Sequence, residues 1–419
     1  MKIDFTKASF KDFENIPGLD AFQTAGKFQQ YLDFLRQNGH LNYRIESVSP
    51  VGPEMELLLP GNSTPSKAVC LVSNDYLGFS QHPKIKEAVI EGISRFGTGS
   101  GASPAIGGHF SYHELLEQKI AKFYKKTDAI LYTTGYTANS ATLQCLMHQE
   151  DLAIVDMAVH ASVYEGCITT NTKQFLHNNL DHLEQILSKA QNAYRTKFVV
   201  VDGVYSQDGD IAYLDRIAAL THHYGAYLVV DDAHGIGVVG DTGRGVIELY
   251  DLFEQVDIIT GTFSKALGNI GGYVIAGREL VNYLKFQSKQ HLFSTTATPA
   301  IMGIVKAIEL IDEEPAWREQ LSRNIDYLKS GLVSLGFDVG TTCSAVIPVK
   351  IGDIPKTLEA GRLLLRSGIY TNPIMYPAVS KKNARIRMNV MSTHTREHLD
   401  KVLNAFAAID HQLHLTGKS

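Results

Sequence analysis

Short apolar runs that end in polar residues or glycine alternate along this chain with longer stretches whose apolar positions recur at helical spacing. From about residue 69 the runs are DAILYTT, LAIVDM, KFVVVDGV, AYLVVDDA, VDIITGTF and GYVIAG. Unbroken β-branched runs of this kind are buried on both faces, which predicts a mainly parallel sheet flanked by helices. Ahead of them, FQTAGKFQQYLDFLRQNG (22–39) has helical spacing closed by a glycine, and the Pro/Gly-punctuated stretch 43–67 reads as strands and turns. Behind them, a long helical segment begins near residue 298. The strand-like FDVGTTCSAVIPVKIG and ARIRMNVMST follow, with the helix KTLEAGRLLLRSG between them. The pattern therefore divides the chain into a helix and arm (1–68), a large α/β domain (69–297) and a smaller C-terminal α/β domain (298–419).

Composition narrows the class. With 419 residues and 44% hydrophobic positions the chain can bury a large core. A net charge of −5 argues against a nucleic-acid binder, which would present a basic face. The four cysteines (Cys70, Cys145, Cys167, Cys343) are scattered, so neither a disulfide framework nor a zinc site is expected, and a reducing cytoplasmic setting fits. The N-terminal stretch is mixed in charge, unlike a signal peptide, and no apolar run is long enough to suggest a membrane span.

In open α/β sheets ligands gather beyond the carboxyl ends of the strands, so the polar residues that close the apolar runs carry the information. YLVVDDAHGIG (227–237) ends in Asp231, Asp232 and His234. Its tail GIGVVG matches G-x-G-x-x-G, yet a dinucleotide fingerprint has its glycines directly after the strand, whereas Asp–Asp–Ala–His intervenes here. A metal site from the same acids and histidine lacks further ligands. VHASVYEG offers His160, LYTTGYTAN puts Gly135 between strand and helix, and DGVYSQDGD presents Ser206. Each is ambiguous alone.

IITGTFSKALG (258–268) adds a lysine set among small and apolar residues. Lys265 is either the start of a helix with its tip in water or an amine that acts as reagent. The second reading gives the other residues a common purpose. If Lys265 forms an imine with a phosphate-bearing aromatic aldehyde, the ring nitrogen needs a carboxylate (Asp231) and the ring a flat partner (His160). The phenolic oxygen needs donors (His234 and Ser206), and the phosphate needs N–H and hydroxyl groups (Gly135, Tyr136 and Thr262).

SNDYLGFSQHP, TGYTAN, HAS, DGVYSQDGD, VVDDAHGIGVVGDTGRG, GTFSKALGNIGGY, FSTTATPA and ARIRMNVMSTHT, in that order, resemble the α-oxoamine synthases over residues 69–410. These are fold-type I pyridoxal-phosphate enzymes, and the resemblance implies a mainly parallel, seven-stranded-type sheet in an αβα sandwich with a smaller C-terminal α/β domain. The resemblance implies that Lys265 is the Schiff-base lysine, Asp231 the pyridinium partner and His160 the stacking residue. It assigns His234 and Ser206 to the phenolic oxygen, and Gly135, Tyr136 and Thr262 to the phosphate, with Thr295 or Thr296 arriving from a neighbouring subunit of a homodimer. Asn74 and Arg387 match positions that bind the amino-acid carboxylate. One departure is Pro104, where many members carry arginine in a loop near the substrate entrance.

The implied reaction condenses a small α-amino acid with an acyl thioester, on coenzyme A or a carrier protein, with loss of CO2. GIYTNPIMYPAV and STHT look closest to serine palmitoyltransferase-like members. The alternatives are an 8-amino-7-oxononanoate synthase-like or glycine C-acetyltransferase-like activity, another fold-type I lyase or aminotransferase, or a catalytically silent partner subunit.

Overall fold

All six apolar runs form strands in the computed structural model, which describes residues 3–6, 8–41 and 43–416. The first two residues of the expected arm, and residues 417–419 of the expected C-terminal domain, lie outside the described residues. In chain order the strands are β1 (Glu46–Ser47), β2 (Glu54–Leu58), β3 (Ser66–Cys70), β4 (Asp128–Tyr132), β5 (Leu152–Asp156), β6 (Asn171–Phe175), β7 (Lys197–Asp202), β8 (Tyr227–Asp231), β9 (Ile258–Thr262), β10 (Gly272–Ala276), β11 (Val346–Lys350), β12 (Ile369–Tyr370), β13 (Asn372–Ile374) and β14 (Arg385–Asn389).

The main sheet is seven-stranded, in the order β4-β10-β9-β8-β7-β5-β6. β9, β8, β7, β5 and β6 run parallel, and β10 runs antiparallel to both β9 and β4. β5, β7, β9 and β10 are buried along their whole length, as unbroken apolar runs require. Val230 stands opposite Val201 on one side and Ile259 on the other, so the middle of the sheet is a β-branched layer. β6, with the sequence NTKQF, was not expected as a strand. It sits at the edge with all but Phe175 exposed, and an edge strand needs no apolar run.

This topology has one functional consequence. Because β4, β5, β7, β8 and β9 point the same way, their C-terminal ends share one edge of the sheet. That edge carries Tyr132, Asp156, Asp202, Asp231 and Thr262.

The chain forms two compact units. The larger comprises residues 74–322 and 343–345 and contains the main sheet. The smaller comprises 1–73, 323–342 and 346–419, so the expected arm and most of the expected C-terminal domain fall in it together. The smaller unit holds two sheets, β1-β2-β3-β12 and β11-β14-β13. Its arm has an aromatic core of its own: Phe13 and Tyr31 stack with centroids 4.9 Å apart, and the Tyr31 hydroxyl donates to Ala8 O at 2.7 Å.

Glycine is required where the Tyr273 ring on β10 crosses β9. A Cβ on Gly261 would lie 2.3 Å from the Tyr273 oxygen. Gly261→Ala is expected to destabilise the protein by about 1–3 kcal/mol through overpacking. Urea denaturation measures this, and an unchanged midpoint contradicts it.

Candidate active site

Asp231, at the end of β8, is only 6% exposed. A carboxylate so placed is costly unless hydrogen-bonded, and it is met from two sides. Asn139 Nδ2 donates to its Oδ2 at 2.6 Å and the Ala233 amide to its Oδ1 at 3.0 Å. Asn139 lies on the helix Gly135–Leu146 and is itself fixed: its Oδ1 accepts from Thr260 Oγ1 at 2.5 Å, and its Nδ2 also reaches Ser162 Oγ at 2.9 Å. The Ser162 hydroxyl stands 2.8 Å from Nδ1 of His160, which also accepts from the Ser162 amide. Burial pushes the His160 pKa down, with Asp231 raising it and Lys265 lowering it. His160 is therefore a neutral imidazole with Nδ1 as acceptor.

These groups face a cavity of about 220 Å³. Gly135, Tyr136, His160, Ser206, Asp231, His234, Thr262 and Lys265 all line it, so the topology brings most of the expected site residues together. At one end the helix Gly135–Leu146 begins, capped by the Thr134 hydroxyl, which accepts the Thr137 amide at 3.1 Å. A helix start is an anion site. Here it is pressed against β9: a Cβ on Gly135 would lie 2.6 Å from the Thr262 Cβ. The Thr262 and Ser264 hydroxyls stand 2.8 Å apart beside it.

Lys265 does not start a helix. It sits half-buried in the tight turn between β9 and β10, where its carbonyl accepts the Gly268 amide at 2.9 Å. His234 Nδ1 lies 2.6 Å from the Tyr76 hydroxyl, which donates to Asn74 Oδ1 at 3.2 Å, so Asn74 reaches the cavity wall through Tyr76. Thr296 lies outside this cavity and lines a separate hollow with Thr133 and Thr137, and Thr295 beside it is exposed. Arg387 lies on β14 in the smaller unit, paired in register with Pro348 and Asn372. Pro104 opens a single turn of 3-10 helix, Pro104–Ile106.

Asn139, Asp202, Ser264 and Tyr76 were not singled out from the sequence. Asn139 stands inside TGYTAN and Asp202 opens DGVYSQDGD, but their importance depends on which strands are neighbours. The GIGVVG glycines start no helix. Gly240 has φ +88, and a Cβ there would lie 2.2 Å from Glu248 Oε2, so this glycine serves turn packing.

Two comparisons identify the lineage. Residues 66–406 match the aminotransferase class I and II family. An 8-amino-7-oxononanoate synthase of Thermoanaerobacter pseudethanolicus is 39% identical, covering 92% of this chain and 97% of its own. The chain belongs to the aminotransferase class I and II family, as an α-oxoamine synthase. A second 8-amino-7-oxononanoate synthase, from Bacillus pumilus, is 40% identical to this α-oxoamine synthase over 80% of its chain and 86% of the relative's. Among solved structures, serine palmitoyltransferase from S. paucimobilis with a bound PLP–myriocin aldimine superposes with a TM-score of 0.88. It is 28% identical and covers 94% of this chain and 100% of its own.

The donor set of this α-oxoamine synthase suits pyridoxal phosphate on its own chemistry. A buried carboxylate, a neutral imidazole, an amine and a hydroxyl-lined helix start surround one cavity.

Asp232, the second acid after β8, points into the core. It accepts from Tyr124 Oη at 3.2 Å, and burial pushes its pKa up to about 8. Its folded pKa is raised above the unfolded value of roughly 3.9. The folded state therefore holds a proton that the unfolded chain has lost, and stability falls as pH rises towards 8. Asp232→Asn is expected to flatten that part of the stability–pH profile between pH 5 and 8. A variant profile parallel to wild type contradicts the assignment.

Proposed function

We propose that this α-oxoamine synthase, a pyridoxal-phosphate enzyme, condenses a small α-amino acid with an acyl thioester and releases CO2, leaving an α-amino ketone. The observation that carries the reading is the convergence of Lys265, Asp231 and His160 on one cavity at the carboxyl edge of the sheet. The bound cofactor supplies an electron sink for a carbanion at the amino acid's Cα.

The residues divide the work. Lys265 would hold the cofactor through its amine, and the same amine would serve as the base for the amino acid's Cα proton. Asp231, anchored by Asn139, would pair with the ring nitrogen and favour its protonated form. The flat imidazole of His160, which lines the cavity, would stack on the ring and fix its orientation. His234 and Ser206 would contact the phenolic oxygen. Gly135, Tyr136 and Thr262 hold the phosphate, completed by Thr295 or Thr296 of the partner subunit in a homodimer. Asn74 and Arg387 bind the amino acid's carboxylate, for which a planar guanidinium is suited.

For substrates, we assign serine with a long-chain acyl thioester. The end-to-end likeness to serine palmitoyltransferase supports this. A second reading has its own support in the closer sequence identity to 8-amino-7-oxononanoate synthases. That product's name requires alanine and a seven-carbon dicarboxylic acyl group. Incubating the enzyme with serine or alanine, each against palmitoyl and heptanedioyl thioesters, separates the two readings. Thiol release that depends on serine and the palmitoyl donor is expected, with CO2 formed in equal amount. Amino-group exchange without thioester consumption defeats the condensation itself.

Two variants test the roles. Lys265→Ala is expected to lack the visible cofactor band as isolated and to lose at least about a thousandfold in kcat. A retained band contradicts the assignment. Arg387→Lys is expected to raise the KM for the amino acid at least about tenfold and leave the KM for the thioester unchanged. Equal KM values in variant and wild type remove Arg387 from the site.

A further inference from the structure

A histidine outside the cavity sits between two carboxylates. His177, just past the end of β6, has Nδ1 3.1 Å from Asp156 Oδ1 and Nε2 2.9 Å from Asp210 Oδ2. A neutral imidazole carries one N–H and satisfies one acceptor, so an acceptor at each nitrogen calls for the imidazolium. Burial opposes that charge, but Asp156 and Asp210 outweigh it and push the pKa up to about 10. Asp156 is fully buried, and its oxygens also accept the Ala158 amide at 2.8 Å and the Asn178 amide at 2.9 Å. The Tyr205 ring meets the imidazole edge to face, with centroids 4.3 Å apart.

What the bridge joins makes it more than packing. Asp156 ends β5, and the chain runs on through Ala158 to His160. Asp210 closes a turn in which its carbonyl accepts the Tyr205 amide at 3.0 Å, and Ser206 lies within that turn. His160 and Ser206 both line the cavity. A second tie runs alongside, from Asn178 Nδ2 to Ile211 O at 3.1 Å. One cation thus spans the loops that leave β5, β6 and β7, which are neighbours at the sheet's carboxyl edge.

Acidic groups crowd that edge. Asp202 lies there too, its pKa driven up by burial and by Asp231, with Asp156 adding to the effect. The groups facing His177 are Asp156 from β5 and Asp210 and Tyr205 from the loop after β7. Tyr164, from the helix Ala161–Gly166, acts on the same edge through Asp156 and Asp202.

We propose that His177 is a positioning residue, whose imidazolium, clamped between Asp156 and Asp210, holds the loops bearing His160 and Ser206 in the arrangement that receives the cofactor. This rests on reading the cavity as the pyridoxal-phosphate site. The folded pKa is raised above the unfolded value of roughly 6.5. The clamp's stabilisation is therefore complete below that pH and is lost as pH rises through about 10.

The test uses the full-length protein and pyridoxal phosphate itself. The dissociation constant and the position of the visible band are measured for wild type, His177→Gln, Asp210→Asn and the double variant, with apo-protein melting temperatures alongside. His177→Gln is expected to weaken cofactor binding at least tenfold and to shift the band. The double variant, which relieves the charge imbalance, is expected to bind more tightly than His177→Gln alone. Wild-type affinity and band position in both single variants, with only the melting temperature lowered, overturn the proposal. If His177→Gln does not fold, wild type labelled with 15N-histidine decides: at pH 8.5 one histidine with both ring nitrogens protonated is expected, and none overturns the clamp. A wild-type protein that binds no pyridoxal phosphate defeats the cofactor reading instead, and the labelled spectrum still judges the clamp separately.

Discussion

The Asp231 carboxylate, buried at the end of β8, sets the terms for what surrounds it. Leaving such a charge without partners costs several kcal/mol, so every neighbour is arranged to receive it. Asn139 cannot flip to do otherwise, because its oxygen is taken by Thr260 while its nitrogen serves Asp231 and Ser162. The same chain of bonds reaches His160, which burial keeps neutral and whose Nδ1 faces the Ser162 hydroxyl. The result is a cavity floor that sets a buried, hydrogen-bonded carboxylate beside a neutral imidazole. On the proposed reading, that carboxylate would meet the protonated ring nitrogen of the cofactor.

Strand direction does the rest of the assembly. Parallel strands send their carboxyl ends to one edge, so residues far apart in sequence arrive together without any local motif. β10 is the antiparallel exception, and it has a use: the short turn from β9 into β10 carries Lys265 back over the edge. Acidic side chains gather there as a consequence: Asp156, Asp202 and Asp231 end neighbouring strands, and Asp210 lies in the loop after β7. Lys265 lines the cavity among them, and His177 bridges Asp156 and Asp210 beside it.

The apolar runs made the buried strands and the fold class legible, because those strands are covered on both faces and have no polar alternation to confuse them. Edge strand β6 was invisible for the opposite reason, since its residues face water. Lys265, Asp231 and His160 stood out because such residue types are unusual just beyond buried apolar runs, and the fold places all three on one cavity. Asn139 and Asp202 could not be weighted, because an amide or acid near a strand end gains its role only from the neighbours that strand order supplies. His177 lies in FLHNN, where nothing in the local sequence announces two carboxylates brought in from β5 and from the loop after β7. The aromatic core of the arm escaped for a related reason: Phe5, Phe10 and Phe13 lie among charged residues and acquire an apolar face only by packing on the helix Ala21–Gln37.

The central claim is that this cavity holds pyridoxal phosphate through Lys265. Borohydride reduction of the cofactor-loaded protein makes that linkage permanent, and peptide mapping by mass spectrometry then locates it. The account predicts a phosphopyridoxyl group on the peptide containing Lys265 and, at stoichiometric loading, on no other lysine. A group attached elsewhere, or no attachment after loading, contradicts it.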